Sequence, residues 1–151
     1  MRVVTASIRV QVTDAVGLTY EEAVTIEVLD VNEFPVGSPV DADPSANAVA
    51  EDALPGTIVG ITALAVDADA TNHMVTYRLT DDAGGRFAID GGTGLVTVAA
   101  ALDREAAASH TITVEAASSD GSVSSASFTV EVLNVNESPR AQAGGPYVVG
   151  E

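Results

Sequence analysis

Oxygen-bearing side chains punctuate the apolar runs of this chain in a repeated way. "VLDVNEFP" (28–35) sets Asp30, Asn32 and Glu33 between a β-branched run and Pro35, and "VLNVNESP" (132–139) sets Asn134, Asn136 and Glu137 in the same places. Glu51 and Asp52 follow "NAVA", Asp67, Asp69 and Asn72 fall in "DADATN", Asp103 and Glu105 in "LDRE", and Asp120 in "SSDG". Taken singly, each is an ordinary solvated loop residue. Gathered within a few Å, carboxylates near a surface repel by roughly 1–4 kcal/mol per pair unless a cation neutralises them. Carboxylate and amide oxygens without His or Cys suit a hard cation, and six to eight of them suit Ca²⁺ better than Mg²⁺.

Other chemistry is poorly supplied. The chain has no cysteine, so thiolate zinc sites and disulfides are excluded. His73 and His110 are too few and too far apart in sequence for a metal site and read as strand-edge polar residues. No nucleophile elbow or oriented base is present, and "DDAGG" and "DGGTG" precede no helix that could cradle phosphate. Asp81 and Asp82 fall in a connection and read as solvated. An enzyme is therefore not expected.

The 151 residues carry a formal charge of −16, and all six basic residues are Arg. Binding to nucleic acid or to an anionic lipid surface would be repulsive. Apolar residues make up 46%, with three Phe, three Tyr and no Trp, so the core must be built from β-branched and small side chains. The first ten residues lack the apolar core of a signal peptide, and no apolar run approaches the roughly 18–20 residues of a membrane span. "SIRVQV" near the start already reads as a mid-domain strand, as in a piece of a longer protein.

The elements that must position these acids are set by an internal repeat. Residues 7–35 align without a gap onto 111–139, an offset of 104, with Ile8 on Ile112, Val10 on Val114, Gly17 on Gly121, and Glu27 to Leu29 on Glu131 to Leu133. Each copy predicts a β-hairpin ending in the acidic run. Seven strands are predicted in the one complete module: 47–50, 57–66, 74–79, 86–89, 95–100, 110–116 and 125–133. Turn residues separate them and no sustained helical period occurs. The expected fold is all-β, a seven-stranded immunoglobulin-like Greek-key sandwich spanning 36–139. Residues 1–35 then form the last hairpin of a preceding repeat plus a linker, and 140–151 a linker and the truncated start of another domain. Antiparallel strands alternate ends. Glu51, Asp103, Glu105, Asn136 and Glu137 are thereby sent to the pole where the chain leaves, and Asp67, Asp69, Asn72 and Asp120 to the pole where Asn32 and Glu33 arrive.

This combination resembles the cadherin repeat: a Glu in the first connection, "DAD", "LDRE", a terminal "VNE-P", and above all "FAIDGGTGLVTVAAALDRE" (87–105). The likeness covers 36–139 fully. It implies Ca²⁺ ions bridging consecutive repeats, held by Glu51, Asp103, Glu105, Asn136 and Glu137 at the outgoing joint. Asn32, Glu33, Asp67, Asp69 and the Asn72 carbonyl would serve the incoming one. Asp14 occupies a ligand position in the first hairpin whose counterpart is Ser118, and Asp120 stands as the substitute. The short linkers, with Glu where the family usually has Asp, look like bacterial cadherin-like repeats, and "AQAGGPYVVGE" resembles the opening of a polycystic-kidney-disease-type sandwich.

The resemblance implies a repeat of a large cell-surface or secreted protein, stiffening a tandem array and supporting adhesion, homophilic or otherwise. Its partners would be neighbouring repeats, other surface proteins or polysaccharide, with no direct membrane insertion. A carbohydrate-binding β-sandwich of an extracellular enzyme or adhesin is the alternative, although a chain without Trp offers few aromatic platforms for sugars.

Overall fold

The computed structural model describes residues 3–29, 31–69 and 73–136. Strands β1 (Val3–Thr13) and β2 (Thr19–Leu29) form an antiparallel hairpin. Eight further strands complete the sandwich. They are β3 (Val40–Asp41), β4 (Ala48–Ala50), β5 (Ile58–Leu64), β6 (Val75–Asp81), β7 (Phe87–Ile89), β8 (Leu95–Val98), β9 (Ser109–Ser118) and β10 (Val123–Leu133). These eight build two four-stranded sheets, β4-β10-β9-β6 and β3-β5-β8-β7.

Alternation of β-branched and polar residues explains the layers. Along β9, Ile112, Val114 and Ala116 point inward and are fully buried, while Thr111, Thr113 and Glu115 face outward. Val130 and Val132 of β10 meet Val59 and Ile61 of β5, Val96 and Val98 of β8, and Phe87 of β7 in one core. A smaller cluster of Val36, Ala65 and Ala116 closes one end, with Val75 and Tyr77 packed against it.

All seven predicted strands are present, with no end moved by more than two residues. Two differences have physical causes. A two-residue strand precedes the predicted first one: Val40 and Asp41 pair with Leu64 and Ala63 of β5, whereas Ala48 to Ala50, within the predicted 47–50, run parallel to Glu131 to Leu133 of β10. Two paired residues between prolines show no period, so β3 left no sequence signal. Asp81, expected in a connection, is the last residue of β6 and lies opposite Thr113 across a register shift.

The repeat seen in the sequence is a repeat in geometry. Ile8 pairs with Val24 in the hairpin and Ile112 with Phe128 in the sandwich, the same register displaced by 104. Both turns close through a Gly with positive φ, Gly17 at 89° and Gly121 at 97°. In the sandwich the apolar face is covered. On the hairpin Val4, Ile8, Val10, Val24, Ile26 and Val28 all remain exposed. A lone two-stranded hairpin is marginal in water and its edges invite pairing with another chain. Deleting residues 1–29 is expected to leave the melting transition of the sandwich intact and to reduce concentration-dependent association in sedimentation. Loss of the cooperative transition would make the hairpin part of the sandwich core.

His110 lies on β9, between β10 and β6, and so is on a central strand rather than an edge. Its ring meets Phe87 edge-on at 5.8 Å, and its Nε2 is buried without a hydrogen-bond partner among the described residues. Desolvation, then the Arg86 charge, push its pKa below the ordinary histidine value. The unfolded chain therefore takes up the proton first, and stability falls as pH drops through about 6.5, levelling off below the folded pKa. Urea midpoints at pH 7.5 and 5.5 are expected to differ in the wild type and to converge in His110→Gln. An unchanged pH slope in that variant would clear His110 of the effect.

Candidate metal centres

Because β4 runs parallel to β10, the two strands end at the same pole, and Glu51 follows directly on the first of them. Its main-chain N–H donates to Leu133 O at 3.1 Å, which fixes the residue against the outgoing segment. The side chain is only 7% exposed. Oε1 accepts the Val135 N–H at 2.6 Å and Oε2 the Arg104 N–H at 2.8 Å. These two N–H groups, Val135 first, hold the Glu51 carboxyl below the usual carboxylate range, so it is ionised at neutral pH. The loop after β8 is anchored by buried Leu102, and Asp103 Oδ1 closes its turn by accepting the Ala106 N–H at 2.9 Å. Glu51, Asp103 and Glu105 thus each bring an oxygen within 4.8 Å of the others. They line a cleft of about 290 Å³ with Asp52, Leu102 and Val135.

A second group forms at the opposite pole, where β5 and β9 end. Asp67, Asp69 and Asp120 also hold oxygens within 4.8 Å of one another, and the first two are buried. Asp67 Oδ1 accepts the Asp69 N–H at 3.0 Å, and its Oδ2 accepts the Ser118 hydroxyl. Asp69 Oδ1 accepts the N–H groups of Glu33 and Phe34 at 3.2 and 3.0 Å. Asp120 Oδ1 accepts the Ser122 N–H and Oδ2 the Asn32 amide, both at 2.6 Å. The Ser122 N–H is the main cause of a lowered Asp120 pKa.

The parity expected from strand order is therefore met by Glu51, Asp103 and Glu105 at one pole and by Asn32, Asp67, Asp69 and Asp120 at the other. Glu33 reaches the incoming pole through its main chain, and its exposed side chain stands outside the three-carboxylate group. Asn136 is exposed and follows Val135 directly. Asn72 and Glu137 lie outside the described residues. Ser118, read from the sequence only as a missing ligand, is a buried donor to Asp67. The signal that could have found it is the offset of 104. Asp14 caps the Leu18 N–H in the hairpin, and Asp120 caps the equivalent Ser122 N–H in the sandwich.

Both donor sets fit a hard cation: oxygen only, no imidazole or ammonium among them, and each with at least one buried carboxylate. The family model described as "Cadherin domain" matches residues 46–133. Cadherin-22 of Rattus norvegicus is 39% identical over 129 residues, covering 82% of this chain and 15% of its own length. Cadherin-23 of Mus musculus is 34% identical over 125 residues, 78% of this chain and 4% of its own. Among solved structures, mouse cadherin-23 EC22-24 superimposes with a TM-score of 0.59 at 29% identity, over 87% of this chain and 42% of that one. The chain thus spans a small part of the relatives it matches.

Proposed function

This chain belongs to the cadherin family, and from that premise we propose that residues 36–139 form a Ca²⁺-binding repeat that stiffens a tandem array on a cell surface or in a secreted protein and supports adhesion. The observation that carries the reading is the outgoing cluster: an ionised, buried Glu51 joined to Asp103 and Glu105 and hydrogen-bonded to Val135, in the segment through which the chain leaves. Glu51, Asp103, Glu105, Asn136 and Glu137 would hold Ca²⁺ there, and Asn32, Glu33, Asp67, Asp69, Asn72 and Asp120 at the incoming pole. The ion would neutralise carboxylates contributed by successive segments and so tie them together.

Residues 1–35 are assigned to a preceding repeat, on the strength of the shared register and turn. The hairpin's uncovered apolar face suits a sheet like β3-β5-β8-β7 of that repeat. Neighbouring repeats are the first partners, and adhesion to other surface molecules follows from the family. The curated relatives named above are vertebrate proteins and lend no support to a bacterial origin, which rests on the linker resemblance alone. The polycystic-kidney-disease-type continuation falls in residues outside those described. No feature of the described residues favours carbohydrate binding: the exposed aromatics among them, Tyr20 on β2 and Phe34 in the linker, belong to no strand of the sandwich.

Calorimetric titration of single-residue variants tests the assignment. Asp103→Ala and Glu105→Ala are expected to weaken Ca²⁺ binding about tenfold or more, and Asp67→Ala to weaken it less. The outgoing cluster draws on residues within one repeat, whereas the incoming set also depends on the preceding one. Asp67→Ala emerging as the most damaging change would reverse the ranking, and unaltered binding in all three would remove both sites.

A further inference from the structure

The described part of the outgoing segment, through Asn136, is tied to the sandwich by the Val135 N–H, which donates to Glu51. At the incoming pole the linker is fastened at successive residues. Asn32 donates to Asp120, and Glu33 and Phe34 to Asp69. The Val36 N–H then donates to Ser122 Oγ at 2.8 Å and the Gly37 N–H to Val66 O at 2.9 Å. Val36 itself is 4% exposed and packs on Ala65 and Ala116.

The hairpin, the other copy of the internal repeat, has a simpler arrangement at the same place. In the hairpin, Asp14 Oδ1 accepts both the Val16 and Leu18 N–H groups, so one carboxylate caps the turn alone. In the sandwich the capping carboxylate has moved two residues along, to Asp120, from which Oδ2 reaches Asn32. The position equivalent to Asp14 holds Ser118, whose hydroxyl donates a hydrogen bond to Asp67 where a carboxylate would add a negative charge. Every carboxylate of this cluster therefore already accepts a hydrogen bond from the chain, and an anion so bonded has much of its charge offset.

We infer that residues 32–37 are latched onto the repeat by the chain's own hydrogen bonds and the Val36 anchor, so that this linker keeps its place without a divalent cation. The latch stands independently of the Ca²⁺ reading.

Amide hydrogen exchange of the full chain, in chelator and in millimolar Ca²⁺, tests this at individual residues. Phe34, Val36 and Gly37 are expected to be protected equally in both, while Val135 gains protection on adding Ca²⁺. Ser122→Ala and Asn32→Ala, at positions outside the main core, are expected to speed exchange at Val36 and Phe34 about tenfold in chelator. Linker amides that exchange freely in chelator and become protected only with Ca²⁺ would overturn the latch and leave the Ca²⁺ reading standing. Protection at 34–37 with no response to Ca²⁺ anywhere would support the latch and remove the Ca²⁺ reading.

Discussion

Millimolar Ca²⁺ is expected to raise the melting temperature by roughly 5–15 °C over its value in chelator, and equimolar Mg²⁺ by much less. Extracellular modules commonly bind Ca²⁺ with dissociation constants of about 10⁻⁴–10⁻³ M. Ligand in tens-fold excess over such a constant adds about 2 kcal/mol, and each kcal/mol moves a domain of about 100 residues by several degrees. Mg²⁺ requires near-octahedral geometry and gives up water reluctantly, which a cluster of partly exposed carboxylates does not repay. Glu51→Ala is expected to abolish most of the Ca²⁺ response, because Glu51 is the buried member of the outgoing set and also the acceptor for Arg104 and Val135. The same carboxylate links stability to pH. Its folded pKa lies below the unfolded one, so its contribution is present above the unfolded value and is lost as pH falls through the folded one. Superimposable melting curves in chelator and Ca²⁺ would leave the clusters without a structural ion.

Gly94→Ala is expected to destabilise the sandwich by about 4 kcal/mol or more, at the top of the range for single substitutions. Gly94 has φ +73°, and a Cβ there would sit 2.2 Å from Ala63 O and 3.1 Å from Ala63 C. Those are main-chain atoms of β5, and the Ala63 N–H is bonded to Gly94 O at 2.9 Å, so relief requires moving a core strand. Gly60 faces the same obstacle from Ala46 O at 2.2 Å. The comparison that isolates the steric part is Gly56→Ala, where φ is +93° but no atom lies within 4 Å. Only the left-handed backbone cost of roughly 1–2 kcal/mol applies there. Equal denaturant midpoints for Gly94→Ala and Gly56→Ala would show that β5 yields without loss.

Strand order and the poles were legible because a period of two and alternating chain direction are local rules applied many times over. Val59, Ile61, Val96, Ile112 and Val130 announce themselves by alternation, and the acids then fall at the ends by counting. What stayed hidden depends on single contacts between distant residues. Ser118 looks like a gap in a carboxylate set until its hydroxyl is seen against Asp67, 51 residues away in the chain. Val36 reads as a linker residue, yet it is a core residue of the small cluster. His110 shares the inward phase of Ile112 and Val114, but alternation alone does not name Phe87, on the other sheet, as its neighbour. Of the proposed ligands, Asn72 and Glu137 lie outside the described residues.

The parallel pairing of β4 with β10 has a mechanical consequence. Once the two-residue β3 has yielded, tension applied through the two linkers pulls β4 and β10 past each other along their length, since the chain enters at the start of one and leaves at the end of the other. The Glu131 N–H bond to Asn47 O and the Glu51 N–H bond to Leu133 O lie across that sliding direction and must rupture together. In the β1–β2 hairpin, by contrast, Val3 and Leu29 face each other at one end. Pulling those ends apart opens the ladder one pair at a time, at far lower force. A chain under load would therefore concentrate its resistance in the short ladder beside Glu51, so an ion held there would brace the part of the repeat that bears the strain.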